Sequence, residues 1–174
     1  MLKRVGVHMT VERFPVGASL FEGESELVAA NLAPIPDEEG GEDGEMEMFF
    51  DGRLRLTDEE YSVSYEESAL TGMEGATSQL FFRLDQPDLV TMLRTGAVST
   101  ALVFEPNKRH TCVYKTPYMI FEACVHTLKV ENKLLADATG GTLLLDYVVE
   151  IRGAQAERCC MTLSVHTQSG AGQA

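Results

Sequence analysis

Along most of this chain, apolar and polar residues alternate with a period of two. In Val5–Val11 the apolar positions are Val5, Val7, Met9 and Val11, with Gly6, His8 and Thr10 between them. Met46, Met48, Phe50, Leu54 and Leu56 occupy even positions of a second such run, while Glu47, Phe49, Asp51, Arg53 and Arg55 occupy odd ones. Successive side chains of a strand point to opposite faces, so this pattern predicts antiparallel strands with one buried and one wet face. Tyr61, Val63 and Tyr65 share a face, as do Leu80, Phe82 and Leu84. Further strands are predicted at Asp88–Thr95, Val98–Glu105, Arg109–Lys115, Met119–Glu131, Thr142–Arg152 and Glu157–Thr167. The turn signals "QPD", "TGA", "EPNK", "TPY", "ATGG" and "RGAQ" separate them. Many short strands joined by tight turns predict an all-β barrel or sandwich, and such short connections favour a meander.

Two segments break the pattern. Phe14–Gly44 is expected to be a mobile acidic insertion after the first strand, with a helical turn or two at Ser25–Leu32. Ser169–Ala174, "SGAGQA", reads as a flexible tail. The rest, residues 1–168, is expected to form one domain with a single core.

Charge narrows the function. The chain of 174 residues carries a formal net charge of −13. Such a surface repels phosphate backbones and anionic leaflets, so neither nucleic acid nor membrane is an expected partner. "MLKRVGVHMTVERF" lacks the continuous apolar run of a secretory signal, and no run is long enough for a membrane helix. The four cysteines then read as reduced thiols of a cytosolic protein.

Four motifs together resemble the YwiB-like proteins, a bacterial family of unknown function. They are "SYEESALTGMEG" at Ser64–Gly75, "LRTGAVSTALVFE" at Leu93–Glu105, "YKTPYM" at Tyr114–Met119 and "GGTLLLDYVVEI" at Gly140–Ile151. Met119 departs from the glycine common after "TPY" in that family. The resemblance implies an antiparallel calycin-like (lipocalin-like) meander barrel of about eight to ten strands. It implies no reaction and no cofactor.

Candidate chemistry is sparse. Glu66 and Glu67 are adjacent, so a regular strand points them to opposite faces and they cannot act as an acid–base pair. The face of Tyr61, Val63 and Tyr65 makes Glu67 the inward one. Val90 and Met92 carry their inward face on to Arg94, which is expected to meet Glu67 at one barrel mouth. Tyr114 and Tyr118, near the "TPY" bend, are expected to complete the polar end of a ligand site. Tyr61, Tyr65, Phe82, Phe104, Tyr114 and Tyr147 fall on inward positions, where they either fill the lumen or line a cavity. A hairpin folded about Pro117 would place His110, Cys112, Cys124 and His126 on one face as a zinc-type ligand set. Small buried thiols and imidazoles are the commoner explanation of such residues. No nucleophile elbow, P-loop or dinucleotide fingerprint is present. The leading expectation is a non-enzymatic barrel binding a small, partly apolar molecule. The alternative is a filled barrel whose acidic surface engages a basic protein partner, and a hydrolytic enzyme ranks third.

Overall fold

The computed structural model describes residues 1–21, 27–35, 44–134 and 140–168. Ten antiparallel strands follow one another: β1 (Leu2–Pro15), β2 (Gly44–Leu56), β3 (Glu60–Glu66), β4 (Ala76–Arg83), β5 (Gln86–Gly96), β6 (Thr100–Phe104), β7 (Arg109–Lys115), β8 (Ile120–Leu134), β9 (Gly140–Ile151) and β10 (Glu157–Thr167). Their order in the sheet is β6-β5-β4-β3-β2-β1-β10-β9-β8-β7. Every strand thus lies beside a sequence neighbour, except that the first also pairs with the last. β1 runs against β10 from Val5↔Thr167 to Pro15↔Glu157, and against β2 from Leu2↔Arg55 to Arg13↔Gly44. The sheet curls into a nearly closed barrel of the calycin-like type.

The remaining seam lies between β6 and β7. One bridge joins them, Ser99 to Lys115, through two backbone hydrogen bonds of 2.9 Å. The "EPNK" connection explains why the ladder stops. Pro106 has no N–H to give. Asn107 adopts a left-handed φ of 63°, and its amide donates to the Thr127 carbonyl of β8 at 2.8 Å. The connection is therefore tied to β8 instead of completing a regular hairpin between β6 and β7.

Alternation decides what fills the barrel. Tyr61, Tyr65, Phe82, Phe104 and Tyr147 are buried in one core with Leu54, Leu80, Leu145 and Leu163, and Tyr114 packs against it. Tyr61 stacks on Phe82 at 5.1 Å, and Phe104 tilts against Tyr147 at 4.8 Å. These rings close the middle of the lumen.

A second, smaller core lies outside the barrel. β8 and β9 carry apolar residues on both faces, so their outer side needs a cover. Val16, Ala18 and Leu20 supply it, burying Cys124, Val148 and Ala156 with them. The Leu20 amide donates to Glu150 Oε2 at 2.5 Å, and Arg152 sits 4.3 Å above the Phe21 ring. This corrects the expected mobile insertion. Phe14 and Pro15 belong to β1, and Val16–Phe21 are docked by apolar contact and hydrogen bonds. The helical turn reduces to α1 (Ala29–Leu32). Residues 22–26 and 36–43, the acidic stretch, and 169–174, the tail, lie outside the described residues. No described helix is long and apolar enough to cross a membrane.

Gly96 shows how tightly the barrel end is packed. A Cβ there would lie 2.5 Å from the Gly75 carbonyl oxygen, and the residue has φ +99°. Gly153 has a similar φ of +88° with open space around it. Gly153→Ala is expected to cost about 1 kcal/mol from backbone conformation alone. Gly96→Ala is expected to cost at least about 2 kcal/mol, because steric overlap adds to the same conformational strain. Urea unfolding of the two variants measures the difference.

Candidate functional site

"SYEESALTGMEG" runs from β3 into a lid over one barrel mouth. β3 ends at Glu66, and the Glu67 amide still donates to the Ala76 carbonyl at 2.9 Å. A 3₁₀ turn at Ala69–Thr71 follows, closed by Gly72 in the left-handed conformation, and the chain re-enters the sheet at Ala76. Strand parity carries Glu67 to the inner face with Tyr65, and leaves Glu66 exposed. The Glu67 side chain is only 2 % exposed.

Three neighbouring strands surround that carboxylate. Ser78 on β4 pairs with Tyr65 on one side and with Arg94 on the other. Its hydroxyl donates to Glu67 Oε1 at 2.5 Å. Arg94, 12 % exposed, places Nε 3.7 Å from the same oxygen, too far for a direct hydrogen bond. That Nε is buried without a protein acceptor. Arg94 Nη1 donates instead to the Tyr114 hydroxyl at 2.9 Å. Since Arg94 is on β5 and Tyr114 on β7, this bond passes over β6 and holds the seam from inside.

Burial works against the Arg94 charge, but Tyr114, Tyr65 and Glu67 around it outweigh that cost and raise its pKa. Burial likewise pushes the Tyr65 and Tyr114 hydroxyls up, keeping them neutral hydrogen-bonding groups.

Glu67 and Arg94 form the polar end of a cavity of about 400 Å³. Six of the chain's eight methionines line it: Met9, Met46, Met48, Met73, Met92 and Met161. Their convergence follows from register. Met48 faces Met9 across β2 and β1, while Met46 and Met161 both face Val11 from either side. Met92 comes from β5, and Met73 from the lid. Tyr65 and Tyr147 complete the wall. At the rim, Arg13 Nε lies 3.7 Å from Glu157 Oε2.

Two expectations are corrected. Tyr118 is 95 % exposed and does not line the cavity. The Thr116 hydroxyl accepts the amides of Tyr118 and Met119, at 3.3 and 3.1 Å, and this turn directs Tyr118 outward. The His–Cys set fails on register. The Thr116–Met119 loop leaves Lys115 opposite Ile120, so Thr111 faces Cys124 and Cys112 faces Ala123. The hairpin is one residue out of step with a fold about Pro117. Cys112 accordingly packs on the barrel core and Cys124 on the outer one. His110 Nε2 approaches Glu105 at 3.6 Å, and His126 Nδ1 accepts from Arg109 Nε at 3.2 Å. Among the described residues no group of three or more His, Cys, Asp or Glu could hold a metal ion.

Sequence reasoning missed the methionine lining, Ser78 and the Arg13–Glu157 rim. The methionines were legible in principle, since Met9, Met46, Met48, Met92 and Met161 all occupy inward positions. On the outer face of β9, Asp146 takes two hydrogen bonds from Arg158, at 3.0 and 2.8 Å.

An up-and-down antiparallel barrel, filled in its middle and hollow at one mouth, places the protein in the calycin-like class. The chain belongs to the family described as domain of unknown function (DUF1934), whose model matches residues 35–163. Among solved structures it is similar to the crystal structure of the ywiB protein from Bacillus subtilis. That likeness has a TM-score of 0.70 at 15 % identity and covers 97 % of this chain and 94 % of the other. No curated protein matches.

Two measurements probe the site. Arg94→Met leaves a buried carboxylate without its cation and is expected to destabilise the fold by about 3–5 kcal/mol. The double variant Arg94→Met/Glu67→Leu should recover most of that loss in urea unfolding. The second concerns Cys159, whose thiol burial raises from 9.0 to about 11. A thiol held neutral in the fold contributes stability below its unfolded pKa and loses it as pH rises through the folded one. Stability is therefore expected to fall by about 2 kcal/mol between pH 9 and pH 11 from this group. Cys159→Ala should flatten that part of the pH profile.

Proposed function

We propose that this protein is a non-enzymatic binding barrel, which holds a small, partly apolar molecule in the cavity at its lidded mouth. The observation that carries this reading is the cavity itself: about 400 Å³, walled by six methionines, with a buried Glu67–Arg94 pair at one end. Its volume falls within the range of small-molecule sites, and its lining combines apolar walls with a few placed polar groups. Thioethers are flexible and polarisable, so they adapt to the outline of an apolar guest. Tyr114 supports the site from behind, by fixing Arg94. The nearby Cys159 thiol, raised to about 11, is poorly suited to act as a nucleophile.

A second reading, a protein-interaction module with a basic partner, draws on the net charge of −13 and the ring-filled middle of the barrel. Tyr118, Met119 and Ile120 protrude from the β7–β8 turn and offer an exposed apolar contact. Native mass spectrometry of the protein taken from its own host separates the two, by whether it retains a small molecule or a basic polypeptide.

Met46, 43 % exposed at the cavity rim, is the place to block entry without disturbing the core. Met46→Trp is expected to weaken binding of the neutral dye N-phenyl-1-naphthylamine at least tenfold, with thermal stability unchanged. Equal dye binding by Met46→Trp and the parent protein would remove the cavity from consideration.

A further inference from the structure

We propose that the cavity selects an uncharged, amide-type head group, one acceptor and one donor side by side, on a flat aromatic body. This rests on the cavity being a ligand site. The head-group requirement comes from the Arg94–Glu67 pair. Arg94 Nε is a buried donor without a protein acceptor, while Nη1 is already committed to Tyr114. Glu67 Oε1 takes the Ser78 hydroxyl, and its 3.7 Å distance from Nε leaves the two ions apposed but not joined. A carbonyl oxygen satisfies Nε–H, and an adjacent N–H satisfies the carboxylate. One amide edge supplies both.

Charge excludes the alternatives. Guanidinium and carboxylate already balance each other, and both side chains are largely buried. A carboxylate guest placed on Arg94 would lie against Glu67, and an ammonium placed on Glu67 would lie against Arg94. Like charges at such distances are strongly unfavourable once desolvated. The net charge of −13 adds to the penalty for anions. The rim repeats the arrangement with Arg13 and Glu157, again 3.7 Å apart. The body is argued from the walls. Methionine sulfur makes favourable contacts with aromatic rings, and Tyr65 and Tyr147 add aromatic edges or faces to the same wall.

Three probes of one shape test this by displacement of N-phenyl-1-naphthylamine at pH 7.5: naphthalene-2-carboxamide, naphthalene-2-carboxylate and 2-methylnaphthalene. The carboxamide is expected to bind at least tenfold more tightly than either of the others. Glu67→Gln removes the negative partner and keeps the side-chain volume, so it is expected to raise carboxylate affinity at least tenfold relative to carboxamide. If 2-methylnaphthalene or the carboxylate matches the carboxamide in the parent protein, the head-group inference is overturned while the cavity reading stands. If the dye binds but none of the three displaces it, the head-group inference is overturned; if the dye does not bind the parent protein, or binds Met46→Trp equally, the cavity reading itself is overturned. The parent ranking is decisive even if Glu67→Gln does not fold; if that variant folds with an unchanged ranking, the Glu67 role is wrong.

Discussion

The pairing of β1 with β10 is the constraint on which the rest of the barrel depends. Every other ladder joins strands adjacent in the chain, so it closes over a short or moderate loop. This one joins Val5 to Thr167 and continues to Pro15 and Glu157. Bringing such distant segments together carries the largest loop-closure entropy in the fold. The long register on β10, and a matching one on β2, offset it. β1 thereby has both edges satisfied, and its inward residues Val5, Val7, Met9 and Val11 become the spine of the core.

Closure at that place displaces the weak point to the middle of the chain. β6 and β7 are consecutive, yet one backbone bridge is all the ladder they share. Side chains take over where the ladder stops. Arg94 reaches across β6 to Tyr114, and the "EPNK" connection is tied to Thr127. The same Arg94 faces the cavity and approaches Glu67. One guanidinium therefore serves the seam and the polar end of the cavity together.

Much of this was legible in the chain. Period-two alternation located most of the strands, including β7 and β10 from end to end, because a half-buried strand imposes that period whatever its neighbours are. The inward side of Glu67 followed from Tyr61, Val63 and Tyr65, and the inward side of Arg94 from Val90 and Met92. Where alternation fails, so does the reading. β9 is apolar on both faces, and nothing local announces that Val16, Ala18 and Leu20 cover its outer side. The His–Cys set turned on a single residue of hairpin register. A one-residue slip exchanges the two faces of a strand, and the Thr116–Met119 loop made that choice.

By itself, then, the sequence determined most of the elements, their faces and the meander order, because these depend mainly on residues close along the chain. The tertiary structure alone decided which inward residues meet. Five inward methionines on four strands and one on a lid become a single wall only when β1 brings β2 and β10 to its two sides and the barrel closes β5 over them. Glu67 and Arg94, each placed inward by parity, are apposed because Ser78 stands between their strands at the matching register. Distance between side chains is a property of register and closure, and those are set by pairing across the whole chain.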